Sequence, residues 1–186
     1  AVQHAKASSQ PGDPFKPDSV FWTPFPISQR FGFNRYENRT TNGGAAIVDY
    51  RVMVDGTTEF SSIMSGSTLA IFVKVCFAED VTQPIVGFEL KTDKGVTITG
   101  SNTYLARVPL RPVGAGEERV YRIEFTVPLN EGDYFVDLGV AKYDGSPGGY
   151  VLDVRRSILH LFVTRMTEKR FHGIADIGFG FAEVGG

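Results

Sequence analysis

The sequence is poor in cysteine, in histidine and in net charge. Cys76 is the only cysteine among 186 residues, so no internal disulfide forms, which favours a reducing compartment. The formal net charge is −2, and no Lys/Arg block or basic stripe is present, which argues against a nucleic-acid partner. The three histidines, His4, His160 and His172, lie far apart without metal-ligand spacing, so we expect no metal site.

Long apolar runs and common catalytic signatures are also missing. The longest apolar run, residues 69–78, is too short to cross a bilayer and contains Lys74. Neither a GxxxxGK[ST] phosphate loop nor a GxSxG elbow occurs, so we expect neither ATP binding by this chain nor a hydrolase of that type. The chain starts at Ala1 without an apolar leader, and we expect a fragment of a longer protein that needs no cofactor.

Period-two alternation is the main structural signal. Turns rich in Gly, Asn and Asp separate the alternating segments, as expected of short antiparallel strands. Val48 is predicted to share a face with Tyr50, and Ile158 to point away from the core. The pattern predicts an all-β protein, an antiparallel β-sandwich of immunoglobulin-like or jelly-roll type. The alternating segments are residues 45–54, 67–78, 119–127, 133–143 and 158–164.

The two ends of the chain differ from this middle part. Residues 1–20 are rich in Ser, Pro and Gly and are predicted to be a linker, which leaves 21–186 as the domain. An aromatic cluster that begins at Trp22 is expected to mark the edge of the domain. The apolar, Gly-rich tail 171–184 is predicted to add one more strand, paired with its own sheet or with the edge of a neighbour's.

The outward faces of the predicted strands carry the candidate binding residues. They mix aromatic, cationic and hydrogen-bonding groups, which is the mixture that sugars need, since rings stack on pyranose C–H faces and polar groups satisfy hydroxyls. An ordinary solvent-exposed face is the alternative interpretation. The candidate carbohydrate-binding residues are Phe72, Lys74, Arg122, Phe135, Asp137, Tyr143 and His160.

Two other functional classes stay open from the residues alone. Glu124 and Asp137 lie on strands joined by one short turn, and paired carboxylates of this kind perform glycoside hydrolysis. A structural or adhesive sandwich that binds no glycan is the second alternative.

A stretch in the middle of the chain carries a family resemblance. Pro84, Gly87 and Phe88 form a P-x-x-G-F strand, which is followed by the turn glycine Gly95 and by a G-x-N-T segment at residues 100–103. This pattern resembles the C-terminal domain of Wzt-type exporters of O-antigen polysaccharide, and the resemblance extends over about residues 24–182. Gly87 suits a bulge or a close backbone approach, and Asn102 suits a corner fixed by local hydrogen bonds, so the motif points mainly to the fold.

The resemblance implies a non-catalytic binding domain. The full protein would be the ATPase subunit of an ABC exporter. Its nucleotide-binding domain would precede this chain and would contact the membrane-spanning exporter subunit. The domain would bind lipopolysaccharide O-polysaccharide at the cytoplasmic face of the bacterial inner membrane, and would recognise the capped non-reducing end of a finished chain. Polymannose with methyl or methyl-phosphate caps is the implied glycan, and the family implies a homodimer with an exchanged C-terminal strand. The binding residues named above rest on strand alternation, not on the family.

Overall fold

Strands dominate the regular structure of this chain. The structure, a computed structural model, describes residues 15, 16, 19, 21–164 and 171–183. A short 3-10 turn, Ile27–Gln29, precedes the strands. In chain order, the nine strands of the described residues are β1 (Asn38–Thr41), β2 (Ala45–Val54), β3 (Ile63–Met64), β4 (Thr68–Phe77), β5 (Pro84–Thr92), β6 (Thr97–Asn102), β7 (Glu118–Thr126), β8 (Gly132–Lys142) and β9 (Tyr150–Thr164).

These strands form two sheets that enclose a common core. The large sheet has the order β1-β9-β8-β5-β6, with β3 beside β9, and the small sheet has the order β2-β4-β7. Paired strands are antiparallel except for the parallel pair of β3 and β9. The prediction of an all-β antiparallel sandwich is confirmed.

Alternation along the strands places one row of side chains between the sheets. On β4, Leu69, Ile71, Val73, Val75 and Phe77 are at most 1% exposed, as predicted. Complete burial of each large aliphatic or aromatic side chain is worth about 1.5–3 kcal/mol. A slip by one residue would bring the whole row to the other face, so these side chains fix the register.

Two predicted orientations are wrong, because bulges interrupt the alternation. Val48 was expected on the face of Tyr50 but is 40% exposed, since the register of β2 against β4 shifts at this position. Ile158 was expected to point outward but is fully buried. Its neighbour Ser157 has φ of 54°, and the pairing of β9 with β8 shifts there, which resets the alternation.

Aromatic residues that precede the strands cover the outer face of the small sheet. Phe21 is buried edge-to-face against Phe72 of β4, with ring centroids 5.3 Å apart, and Trp22 packs beside it. Phe15 also meets Phe72, with centroids 5.6 Å apart. Most of the predicted linker, residues 1–20, lies outside the described residues, so its role stays a prediction.

Residues 173–176 of the C-terminal tail contact the sandwich through hydrogen bonds to Pro128 and Asn130. Ala175 forms an isolated antiparallel bridge with Leu129. Beyond it, Ile177 and Phe181 are 91% and 93% exposed. Val184 lies outside the described residues. Within 171–183 the structure has this bridge and no longer strand, so the tail strand predicted over 171–184 stays a prediction.

Candidate functional site

A groove of about 420 Å³ runs across the outer face of the large sheet, over β5, β6 and β8. Its floor contains Gly87, Gly100 and Gly139. Gly87 pairs directly with Gly139 on one side and with Asn102 on the other, whereas Gly100 pairs with Glu89, two residues further along β5. Since glycine has no side chain, the backbone of the sheet is exposed here and forms a depression between the larger side chains that line the groove.

Close backbone packing explains two of these glycines. A Cβ atom on Gly87 would lie 2.8 Å from the Cβ of Asn102, and one on Gly100 would lie 2.8 Å from the carbonyl oxygen of Phe88. Both distances are too short for any side chain, so β5 and β6 require glycine at these positions. Gly139 is different, because its nearest neighbour would be the Cγ2 atom of Val154 at 3.4 Å.

Asn102 connects the two loops that flank the groove. Its Nδ2 donates to the carbonyl of Pro147 at 3.1 Å, in the loop between β8 and β9. Its Oδ1 accepts from the backbone N–H of Leu105 at 2.8 Å, in the loop after β6. The expected role of Asn102 in fixing a corner agrees with these bonds, and the same residue also lines the groove.

A polar network forms one part of the groove wall. Asp137 is only 6% exposed; it forms an ion pair with Lys91 and accepts from the N–H of Ser157 at 2.7 Å. Lys91 also forms an ion pair with Glu89, in which its Nζ lies 2.8 Å from Oε2 of the carboxylate. Burial lowers the pKa of Lys91, but hydrogen bonds to Asp137 and Glu89 outweigh it, so the pKa is raised overall. Arg156 lines the groove as well, and its Nη1 donates to the hydroxyl of Thr40 at 3.0 Å.

Tyrosines lie on the loops that flank the groove. Tyr104 and Tyr143 stack with ring centroids 5.1 Å apart and an interplanar angle of 18°. The hydrogen bond between their hydroxyls raises the pKa of Tyr143. Tyr150, at the start of β9, is 50% exposed, and the Nζ of Lys142 lies 5.3 Å from its ring centroid. Partly exposed rings beside a groove suit stacking on a sugar face.

The structure distributes the seven predicted binding residues over two opposite faces. Phe135, Asp137 and His160 belong to the large sheet, and Tyr143 follows it in the β8–β9 loop. The other three, Phe72, Lys74 and Arg122, belong to the small sheet. The seven residues therefore do not form one continuous surface.

The three small-sheet residues already have partners. Phe72 is 3% exposed beneath Phe21. Lys74 pairs with Glu118 at 3.1 Å, and Arg122 pairs with Glu124. Sequence alternation correctly turned these side chains away from the core, but it did not reveal the segment that covers them.

Of the large-sheet residues, Asp137 lines the groove and the other two lie beyond it. Phe135 stacks on His160 with centroids 5.0 Å apart, and the Nε2 of His160 lies 2.6 Å from Asp133. Phe135 is two residues before Asp137 on the same strand face, which is a separation of about 7 Å. The aromatic pair could thus extend the groove along the strand.

Sequence reasoning missed most of the groove itself. The floor glycines, Asn102, Leu105 and Arg156 were not among the predicted binding residues. The available signal was glycine in the interior of three strands, which often marks close approach of a ligand or of another backbone. Sequence reasoning attributes Gly87 to the fold alone.

The carboxylate pair proposed for glycoside hydrolysis does not form. Glu124 lies on the outer face of the small sheet, where it pairs with Arg122, whereas Asp137 lies on the outer face of the large sheet. The two carboxylates point away from the sandwich in opposite directions. Among the described residues, no group of three or more His, Cys, Asp or Glu side chains could hold a metal ion. The part of the chain that the structure describes also has no helix long and apolar enough to span a membrane.

Comparisons with known proteins agree on one family. The model of the family described as the Wzt C-terminal domain matches residues 36–177. The chain is similar to a solved structure described as the C-terminal domain of wzt, with 28% identity and a TM-score of 0.77 over 85% of this chain and 95% of that chain. No match is found among curated proteins.

Two more distant structures show weak likeness. A β-glucuronidase from glycoside hydrolase family 2 is 11% identical, with a TM-score of 0.39 over 56% of this chain and 10% of that one. A CARDB domain from Pyrococcus furiosus is 14% identical, with a TM-score of 0.33 over 73% of this chain and 92% of that one. With such low TM-scores, neither structure supports a functional argument.

Proposed function

The chain belongs to the family of Wzt C-terminal domains, and we propose that it binds O-polysaccharide in the glycine-floored groove of its large sheet. This family is associated with carbohydrate binding and with export of O-antigen by ABC transporters, and its C-terminal domain binds without catalysing a reaction. The observation that carries the proposal is the groove, with its bare floor, polar wall and flanking tyrosines.

The chemistry of the groove suits a sugar chain. A pyranose ring has an apolar C–H face and a rim of hydroxyls, so it needs a flat or aromatic surface and nearby polar groups. The floor at Gly87 and Gly139 provides the flat surface, and Tyr104 and Tyr143 provide rings. Glu89 and Asn102 provide acceptors and donors at the groove edge.

The finer proposal is that the groove reads the capped non-reducing end of polymannose. Arg156 supports this, because it lines the groove and forms no ion pair within the described residues. A guanidinium is well suited to two-point recognition of a phosphate cap. We further propose that the full protein is the ATPase subunit of the exporter and that the domain selects finished chains at the cytoplasmic face of the inner membrane.

The test is calorimetric titration of the chain with methyl-phosphate-capped and uncapped polymannose. Gly139→Val places a side chain into the groove without backbone overlap, and we expect it to weaken binding by about tenfold or more. Gly114→Val is the matched control, since its Cβ would meet nothing closer than 3.5 Å and it lies outside the groove.

The outcomes distinguish the proposal that the groove binds glycan from the finer proposal that it recognises the capped end. Arg156→Gln is expected to reduce the preference for the capped glycan while uncapped binding persists. Equal binding of both glycans would contradict end recognition and leave the groove as a chain-binding site. If Gly139→Val binds as tightly as the unchanged chain, the groove is not the site.

A further inference from the structure

A second cavity, of about 320 Å³, lies beside β2, apart from the groove. It is lined by β2, by the segment that precedes β1 and by the loop between β2 and β3. Three phenyl rings line it, and two of them are substantially exposed: Phe25 at 59% and Phe31 at 44%. The third ring, Phe60, packs edge-to-face on Phe31 with centroids 4.8 Å apart. We refer to this cavity as the Arg51 cleft, after one of the two arginines in its wall.

The walls of the Arg51 cleft contain two arginines beside one carboxylate. Arg30 is 8% exposed and donates from Nε and Nη2 to the two carboxylate oxygens of Asp49, at 2.8 and 2.6 Å. Asp49 also accepts from the N–H of Tyr50 at 2.8 Å. The single carboxylate is engaged by Arg30 and by the N–H of Tyr50, so two guanidinium groups share one carboxylate and the wall has a net positive charge.

Arg51 is this second guanidinium. Its Nη1 donates to the carbonyl of Phe21 at 2.7 Å and lies 3.3 Å from the hydroxyl of Thr23. These bonds fix the guanidinium, whose centre lies 5.0 Å from the ring centroid of Phe21. Within the described residues Arg51 has no ion pair, and its Nε and Nη2 have no hydrogen-bond acceptor.

The environment of Arg51 disfavours its charge. Burial lowers the pKa of Arg51, the neighbouring Arg30 lowers it further, and Asp49 offsets part of this effect. A guanidinium nevertheless stays protonated at neutral pH. A partly desolvated cation without a counter-ion gains more from an incoming anion than a solvated surface cation does.

We propose that the Arg51 cleft binds a small organic anion, a phosphate monoester or carboxylate attached to a ring. The anion binds the free edge of the Arg51 guanidinium, and the ring contacts the phenyl walls formed by Phe25 and Phe31. The hydroxyl of Thr58 and the amide of Gln29, which also line the cleft, are available to polar substituents of the ring. This proposal does not depend on glycan binding in the groove.

The test is a two-dimensional ¹H–¹⁵N NMR titration of the chain with phenyl phosphate, inorganic phosphate and benzyl alcohol. Phenyl phosphate is expected to shift the amides of Thr23 and Thr58 and to bind about tenfold more tightly than either of the other two probes. Charge-assisted hydrogen bonds from a fixed guanidinium justify a loss of about tenfold or more in Arg51→Gln. Arg122→Gln is the matched control, because Arg122 lies outside the cleft and is paired with Glu124.

Further variants keep the proposal falsifiable if Arg51→Gln unfolds. Phe25→Ala removes an exposed ring, and it should reduce the preference for phenyl phosphate over inorganic phosphate. Binding by the unchanged chain should also weaken as ionic strength rises. The proposal is overturned if the cleft amides do not shift, if Arg51→Gln binds as tightly as the unchanged chain, or if binding is insensitive to salt. Shifts confined to the groove would assign the anion to Arg156 instead and would also overturn it.

Discussion

At the scale of single residues, burial decides what several polar side chains can do. Asp137 has the charge expected of a sugar-binding group, but its carboxylate is engaged by Lys91 and by the N–H of Ser157. Breaking such a pair leaves a buried charge uncompensated, which is costly. Asp137 therefore shapes the groove wall and holds Lys91 in place, and exposed Glu89 is better placed to meet a hydroxyl.

Tyr121 gives a prediction about pH. It packs against the core from β7, and burial raises its pKa to about 12. The unfolded chain releases the same proton near pH ~10, so the native state binds more protons between these values. The free energy of unfolding should therefore be unaffected by this group below pH ~10 and should fall by up to ~2 kcal/mol as the pH rises to ~12.

Urea denaturation at about pH 9 and about pH 11.5 measures this loss. Tyr121→Phe should lose less stability between the two values than the unchanged chain. Part of the slope should persist, because burial also raises the pKa of Tyr50. Tyr36→Phe is the control at a tyrosine that is 76% exposed. An unchanged slope in Tyr121→Phe would show that its proton is not linked to folding.

At the scale of strands, glycines set how closely β5, β6 and β8 approach one another. Gly87 and Gly139 face each other across the β5–β8 pair, yet their surroundings differ. A Cβ on Gly87 would overlap Asn102 and the carbonyl oxygen of Ser101, at 2.8 and 3.0 Å. A Cβ on Gly139 would meet Val154 at 3.4 Å.

This difference predicts opposite outcomes for one chemical change. Gly87→Ala should lower the free energy of unfolding by about 1–3 kcal/mol, because β6 must move to relieve the overlap. Gly139→Ala should be close to neutral and is the matched variant on the facing strand. Chemical denaturation of both measures the contrast. Equal stabilities would mean that β6 shifts freely, and the close approach at Gly87 would then not explain the glycine.

At the scale of the whole molecule, a single chain leaves the large apolar side chains of its C-terminal tail exposed to solvent. Ile177, Phe179 and Phe181 are between 57% and 93% exposed, although the tail is tied to Leu129 through Ala175. Exposed apolar rows of this kind mark interaction sites. They support the proposal that two copies exchange this segment as a strand.

If two copies exchange this segment, the chain is a dimer in solution, and removal of residues 177–186 should make it a monomer, as measured by light scattering after size exclusion. The monomer should also lose apparent affinity for long glycans, because two linked sites gain from effective concentration. Phe181→Ser should weaken the dimer, whereas Phe162→Ser, at a ring 49% exposed on the large sheet, should not. A dimer that survives truncation would place the interface elsewhere.

The sequence by itself determined the all-β class, the long alternating strands, most of the core and the family, but it did not predict β1, β3 or the first half of β9. Period-two alternation predicted the buried row on β4, and the motif that begins at Pro84 indicated the Wzt C-terminal domain. Both signals are local in sequence: alternation needs only neighbouring residues, and the motif needs one hairpin.

Tertiary structure decided where the surfaces lie. Alternation tells whether a side chain points toward or away from the core, but not which of the two sheets carries it, so Phe72 and Phe135 appeared to share a face. The cover that Phe21 forms over Phe72 and the bulge at Ser157 depend on contacts between distant segments. The groove depends on pairing Gly87 with both Gly139 and Asn102, and such pairing is fixed only when the sheet assembles.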